Sequence, residues 1–127
     1  MSDPRQGLGR AGETVAAQYL QDAGYTVLER NRRSEGGEID IVARDTSGAI
    51  VFVEVRTRRG PGGAVSALES VDAAKQERLL SGAAAYLADH VDPSGADLPA
   101  RIDVIAVATN RRGGLAVARH VRNAVEA

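Results

Sequence analysis

The chain is expected to be a single α/β domain over residues 1–127, a mixed β-sheet flanked by helices in the order αβββαββ. Three observations lead there. Two segments, Leu8–Ala23 and about Asp72–His90, repeat apolar residues at helical spacing. Four or five Val- and Ile-rich runs lie between turn signals. The runs and helices alternate, which favours helices packed on a partly parallel sheet over an all-β sandwich.

The first helix aligns Leu8, Ala11, Val15, Tyr19 and Ala23, with Gly12, Ala16 and Leu20 beside them, and Gly24 is placed to end it. Tyr25–Arg30 reads as a strand and the polar stretch Asn31–Gly37 as a loop. Residues 38–58 read as a hairpin. The three-residue turn Thr46-Ser47-Gly48, with Gly48 left-handed, pairs Asp45 with Ala49. Arg59–Gly63 is the richest Gly/Pro stretch and reads as a mobile loop. The second helix turns Leu79, Leu80, Ala83, Tyr86 and Leu87 to one side, and Asp92-Pro93-Ser94-Gly95 breaks it. Arg101–Thr109 and Leu115–Val121 complete the sheet.

The hairpin register carries the chemistry. Counting back from the turn sets Asp40 opposite Glu54 and Glu38 opposite Arg56. Facing side chains in an antiparallel pair are roughly 5 Å apart, and like charges there repel. Glu54 and Arg56 also interrupt a strand, Ile50–Val55, that is apolar on both faces. A charge arriving in a buried strand is costly unless it is paired or bound to metal. Two readings follow, a cation held by the carboxylates or an internal salt bridge of Arg56 with Glu54 or Glu38.

Composition narrows the field. The chain has 127 residues, 43% hydrophobic and 26% charged, as in ordinary globular domains. It has no cysteine, hence no disulfide and no zinc site built on sulfur. No apolar run approaches a membrane span, and Met1-Ser2-Asp3-Pro4-Arg5 lacks a secretory pattern, so a cytoplasmic location is expected. A net charge of −1 argues against a general nucleic-acid binder. Local arginine clusters (Arg32 and Arg33; Arg56, Arg58 and Arg59; Arg111 and Arg112) soften that objection, as would a bound divalent ion. Lys75 is the only lysine among sixteen basic residues. Aromatic content of 3% leaves no platform for stacking single strands. Gly60–Gly63 lacks the Lys-Ser/Thr ending of a phosphate loop. His90 and His120 stand alone, and no Ser-His-Asp set can be assembled.

Several segments, taken together, resemble the YraN-like family of uncharacterised bacterial proteins (uncharacterised protein family 0102). They are Gly9-Arg10-Ala11-Gly12-Glu13, Asn31-Arg32-Arg33, Gly37-Glu38-Ile39-Asp40-Ile41-Val42, Val51-Phe52-Val53-Glu54-Val55-Arg56-Thr57-Arg58, Lys75-Gln76 and Arg101-Ile102-Asp103-Val104. That family is similar to the PD-(D/E)xK nuclease superfold of restriction endonucleases and archaeal Holliday-junction resolvases.

The resemblance implies a restriction-endonuclease-like core and metal-dependent hydrolysis of phosphodiesters in structured DNA. Asp40 and Glu54 would be the motif's acids. Glu13, Asp40, Glu54 and the Val55 carbonyl would hold Mg²⁺ or Mn²⁺, which polarises a phosphoryl oxygen and activates water. Arg56 stands where the superfold has lysine. Arginine stays protonated and cannot act as a base, though it can clamp a phosphate. Lys75 is a candidate substitute if its helix reaches the site.

Around that centre, Arg32, Arg33, Arg58, Arg59 and Lys75 are candidate nucleic-acid contacts. Glu38 and Gln76 are candidate supports; Gln76 could equally be a core amide satisfied by the backbone. Glu13 could instead pair with Arg10 on the helix surface, and Asp103 is most simply the structural partner of Arg101. Resolvase-like relatives suggest a homodimer by analogy. The competing functions are a binding module without turnover and a protein-interaction adaptor.

Overall fold

The computed structural model describes residues 4–90 and 99–126. The elements run α1 (Pro4–Asp22), β1 (Thr26–Ser34), β2 (Gly37–Arg44), β3 (Ile50–Arg58), α2 (Gly63–Glu69), α3 (Ala73–Asp89), β4 (Ala100–Thr109) and β5 (Leu115–Val125). The helical break expected at Asp92–Gly95 lies outside the described residues, as do Met1–Asp3.

One five-stranded sheet holds the strands in chain order. Among the described residues only β3 and β4 are parallel, joined by the α2–α3 crossover that a parallel pair requires. Each face is covered. Ala16, Ala17 and Leu20 of α1 pack with Ile41, Val53, Ile105 and Val107. Leu79, Ala83 and Tyr86 of α3 pack with Val42, Phe52 and Ile102 on the other side. The double covering explains why β3 is apolar on both faces.

Each helix end has a local cause. Gly24, at φ 92°, lets its own N–H reach the Gln21 carbonyl while the Tyr25 N–H reaches the Leu20 carbonyl. This is a Schellman closure. Asp72 caps α3, its carboxylate accepting from the Lys75 N–H at 2.9 Å.

The structure corrects four expectations. The inward face of α1 is Gly12, Glu13, Ala16, Ala17 and Leu20; Ala11 and Ala23 are exposed. β1 continues through Asn31-Arg32-Arg33 to Ser34, so the expected loop shrinks to a turn at Glu35 and Gly36. Its polarity is that of an edge strand. The Gly/Pro stretch is a turn leading into the short helix α2. Gly63 is pressed so close to β3 that a Cβ there would meet the Arg58 carbonyl oxygen at 2.8 Å. β5 extends beyond Val121 to Val125.

Gly12 fixes how closely α1 approaches β3. A Cβ at Gly12 would stand 1.8 Å from Thr57 Oγ1 and 2.9 Å from Thr57 Cβ. Gly12→Ala is therefore expected to lower unfolding free energy by about 1–3 kcal/mol through overpacking. Gly9→Ala, where a Cβ meets nothing within 4 Å, should raise it by about 0.5–1 kcal/mol through helix propensity. Urea unfolding of both variants checks the pair. Equal effects would mean that the contact with Thr57 does not set the helix position.

Candidate active site

The β2–β3 ladder follows the expected register, Arg44 with Ile50 through Ile41 with Val53. One step further the same register sets Asp40 against Glu54, but the paired ladder has ended. Asp40 bridges the gap with its side chain, Oδ2 accepting from the Val55 N–H at 2.8 Å.

The alternation of β2 breaks at this point. Ile41 and Ala43 pack towards α1, yet Ile39 packs with Val42 towards α3. On the neighbouring strand Asn31 takes a left-handed conformation, φ 53°. The register of β1 (Arg30 with Ile41, Arg32 with Ile39) sets Asn31 opposite Asp40.

The half-buried Asp40 and the buried Glu54 are neighbours whose charges act on one another. Burial raises both pKa values. Asp40's charge raises Glu54 further, while Lys75 and Arg56 oppose the rise. Glu54 is 3% exposed and its Oε2 has no hydrogen-bond partner. Its Oε1 faces Arg56 Nε at 3.2 Å and Lys75 Nζ at 3.5 Å. The Arg56 contact is electrostatic only, because Nε makes no hydrogen bond.

Glu13, from α1, is buried near Asp40, with Oε1 unpartnered. Burial and then the charge of Asp40 push its pKa up to about 7, against the pull of Arg30. It makes no ion pair with Arg10 among the described residues.

The other candidates divide. Lys75, in the first turn of α3, reaches Glu54 of the acid pair. Gln76 is the backbone-satisfied amide, Nε2 donating to the Val71 carbonyl at 3.1 Å. Glu38 does not meet Arg56; the broken alternation of β2 sends it to Arg33, 3.8 Å away across the β1–β2 pair. Arg32 is occupied, paired with Glu29 at 3.0 Å and Asp89 at 2.8 Å, and lying 4.9 Å over the Tyr86 ring. Arg58 donates to the Thr57 carbonyl. Arg33 and Arg59 are exposed.

The donor set suits a hard divalent cation. Glu13 Oε1 and Glu54 Oε2 are orphaned carboxylate oxygens, the kind of ligand that Mg²⁺ and Mn²⁺ take. The Val55 carbonyl shares a strand edge with its N–H, beyond the last ladder pair. Among the described residues no three Asp, Glu or His side chains gather closely enough to hold a metal ion, so the protein's share of such a site is two carboxylates and a backbone carbonyl at most.

His120 does not stand alone. Its Nε2 meets Asp103 Oδ2 at 2.8 Å and its Nδ1 meets the Tyr19 hydroxyl at 3.0 Å. Asp103, fully buried, also accepts from Arg101 Nε at 3.0 Å, the expected pairing, and from the Asn123 N–H at 2.9 Å. Arg101 continues to Asp45 and the Tyr25 hydroxyl. The partners of His120 lie 17 and 101 residues away in sequence, so no local spacing could have revealed them. His90 stacks on Tyr86, the rings 3.9 Å apart.

A model of the uncharacterised protein family UPF0102 matches residues 12–107. Relatives described as UPF0102 proteins include one from Roseiflexus castenholzii, 48% identical, with 99% of this chain and 98% of that one covered. Another, from Desulforamulus reducens, is 40% identical over 98% of this chain and 100% of its own length. Among solved structures, a repair endonuclease from Pyrococcus abyssi is similar at 16% identity and a TM-score of 0.41, over 87% of this chain but 39% of that one. SfsA of Pyrococcus furiosus in complex with Ca²⁺ is similar at 13% identity and a TM-score of 0.38, over 97% of this chain and 65% of that one.

Proposed function

We propose that this chain, which belongs to uncharacterised protein family UPF0102, binds structured DNA and hydrolyses its phosphodiester bonds with the help of a divalent metal. One observation carries the reading: two neighbouring carboxyls, Asp40 half-buried and Glu54 buried, brought together where the β2–β3 ladder opens. Such a pair is at rest only with a proton or a cation between its members. Asp40, Glu54 and the Val55 carbonyl would hold Mg²⁺ or Mn²⁺, with Glu13 as an outlying acid. Bound there, the ion would polarise a phosphoryl oxygen and lower the pKa of water.

The chain's own groups then divide the work. The Val55 N–H fixes the Asp40 carboxylate. Arg56, always charged, clamps a non-bridging phosphate oxygen but takes no proton. Lys75 Nζ, on a flexible stem beside Glu54, is the group able to orient the attacking water. Exposed Arg33 and Arg59 are available to backbone phosphates. In the absence of metal, Arg56 and Lys75 neutralise Glu54, and that pairing favours a second reading, a module that binds without cutting.

End-labelled duplex, flap and four-way-junction DNA, incubated with Mg²⁺ or Mn²⁺, separates the two. Cleavage lost in Asp40→Asn supports hydrolysis. Retarded migration without cleavage under either metal supports the silent module. Neither binding nor cleavage would sink both.

A further inference from the structure

We propose that a cavity beside the acid pair receives one unpaired nucleobase; the inference rests on the nucleic-acid reading above. The cavity, about 240 Å³, lies between the α2–α3 junction and strands β4 and β5. Val104 forms part of its floor and is the register partner of Glu54 on the adjacent parallel strand. Neighbouring strands are about 5 Å apart. Val104 also shares the α3-side face with Ile102. Gln76, on its wall, directly follows Lys75, whose ammonium touches Glu54. A nucleotide whose phosphate lay against the acids would thus find the cavity within reach of its own base.

The lining suits a flat ring with hydrogen-bonding edges. Leu68 and Val71 stand on the helical side, Val121 and Val125 on the sheet side. The volume is below the roughly 300–1,000 Å³ of pockets for drug-sized ligands, so it fits a ring system and not a peptide segment. Gln76 is pinned by its Nε2 bond to the Val71 carbonyl. Its Oε1 accepts from no donor among the described residues, which leaves it free for an exocyclic amine. Arg119, at the rim, adds a planar cation that can stack on a base or donate to its acceptors. No acid lines the cavity, which argues against a second cation. A single exposed arginine is too little for a phosphate group. Enzymes that act beside an extruded base hold it between apolar walls and read its edge by hydrogen bonds; the absence of an aromatic here makes the walls aliphatic.

The test uses duplexes carrying 2-aminopurine, either fully paired or as a single-base bulge, with Ca²⁺ in place of Mg²⁺ so that the DNA stays intact. Anisotropy of an end label reads binding, and 2-aminopurine emission reads the fate of the base. The bulged duplex is expected to bind about tenfold tighter than the paired one, with emission rising as the base leaves the stack. Ala124→Leu, at an exposed lining position, should fill the cavity. It should abolish both preference and emission change while leaving affinity for the paired duplex intact. Equal affinity for both duplexes, or a preference untouched by Ala124→Leu, overturns the cavity's assignment and leaves DNA binding standing. No anisotropy change with either duplex overturns the assignment and the proposed function together.

Discussion

Glu54→Gln is expected to make the metal-free protein more stable at pH 8, and to remove the stabilisation that Mn²⁺ gives the wild type. In the wild type, Asp40, Glu54 and Glu13 all have pKa values raised by burial, and in each case the charge of a neighbouring acid adds to the rise. Their unfolded values are near 4. The folded state therefore binds more protons than the unfolded chain through the interval between. The stability these three groups contribute is complete below about pH 4 and falls as pH climbs through the raised values, about 7 for Glu13 and about 8 for Glu54. At pH 8 the metal-free chain holds Asp40 beside a desolvated Glu54 that is about half charged, its pKa pushed up to about 8 by burial and by Asp40. A glutamine cannot charge, so that part of the pH slope disappears. Each pKa unit is worth about 1.4 kcal/mol. Allowing for the lost contacts of Arg56 and Lys75, both partly hydrated, the net gain is about 1–3 kcal/mol.

Metal reverses the ranking. Saturation at about 100 times the dissociation constant adds about 2.7 kcal/mol to a protein that binds only when folded. The variant, having lost a ligand, gains little. Thermal unfolding at pH 8, with and without Mn²⁺, should show the order of the two proteins exchange. A variant that is less stable without metal would mean that the acid pair is a structural salt-bridge centre. An equal response to Mn²⁺ in both proteins would place the ion elsewhere.

The acid pair was legible because its determinants are local. Asp45 closes the hairpin turn, its Oδ1 accepting from the Ser47 and Ala49 N–H groups, and Gly48 takes φ 93°. Once that turn is fixed, the register follows by counting. Its failure at Glu38 has an equally definite origin. Counting assumes unbroken alternation, and β2 breaks alternation at Asp40 itself. The burial of Glu13 and the reach of Lys75 depend on how α1 and α3 dock, which spacing within each helix leaves open. Gly12 in the apolar stripe was the available sign of a close approach. The helix α2 was hidden by its length of seven residues and by a glycine-rich start, where tertiary contact at Gly63 decides the conformation. Arg32 looked like a phosphate contact because its partners Asp89 and Tyr86 lie on a distant helix.

Asp103→Ala should be among the most destabilising single substitutions in this chain, costing about 3–5 kcal/mol. Asp103 is fully buried on the α1 side of β4, and both its oxygens are used. Burial alone would raise its pKa, but the hydrogen bonds from His120, the Asn123 N–H and Arg101 outweigh that and hold it low. Removing the carboxylate strands three donors at once. Arg101, still tied to Asp45 and the Tyr25 hydroxyl, would carry a half-buried charge short of a partner. His120 would lose the contact that orients its ring towards Tyr19. These bonds join α1, the β2–β3 turn, β4 and β5, so the cost should appear in global unfolding and not in local fraying. Tyr19→Phe cuts only the outermost bond and should cost about 1 kcal/mol. Because α1 also delivers Glu13 to the opposite end of the site, loosening Tyr19 should weaken Mn²⁺ binding more than it weakens the fold, and calorimetry on Tyr19→Phe reads that directly. Were Asp103→Ala no worse than Tyr19→Phe in urea, the network would be ornament on a sheet held by its apolar faces alone.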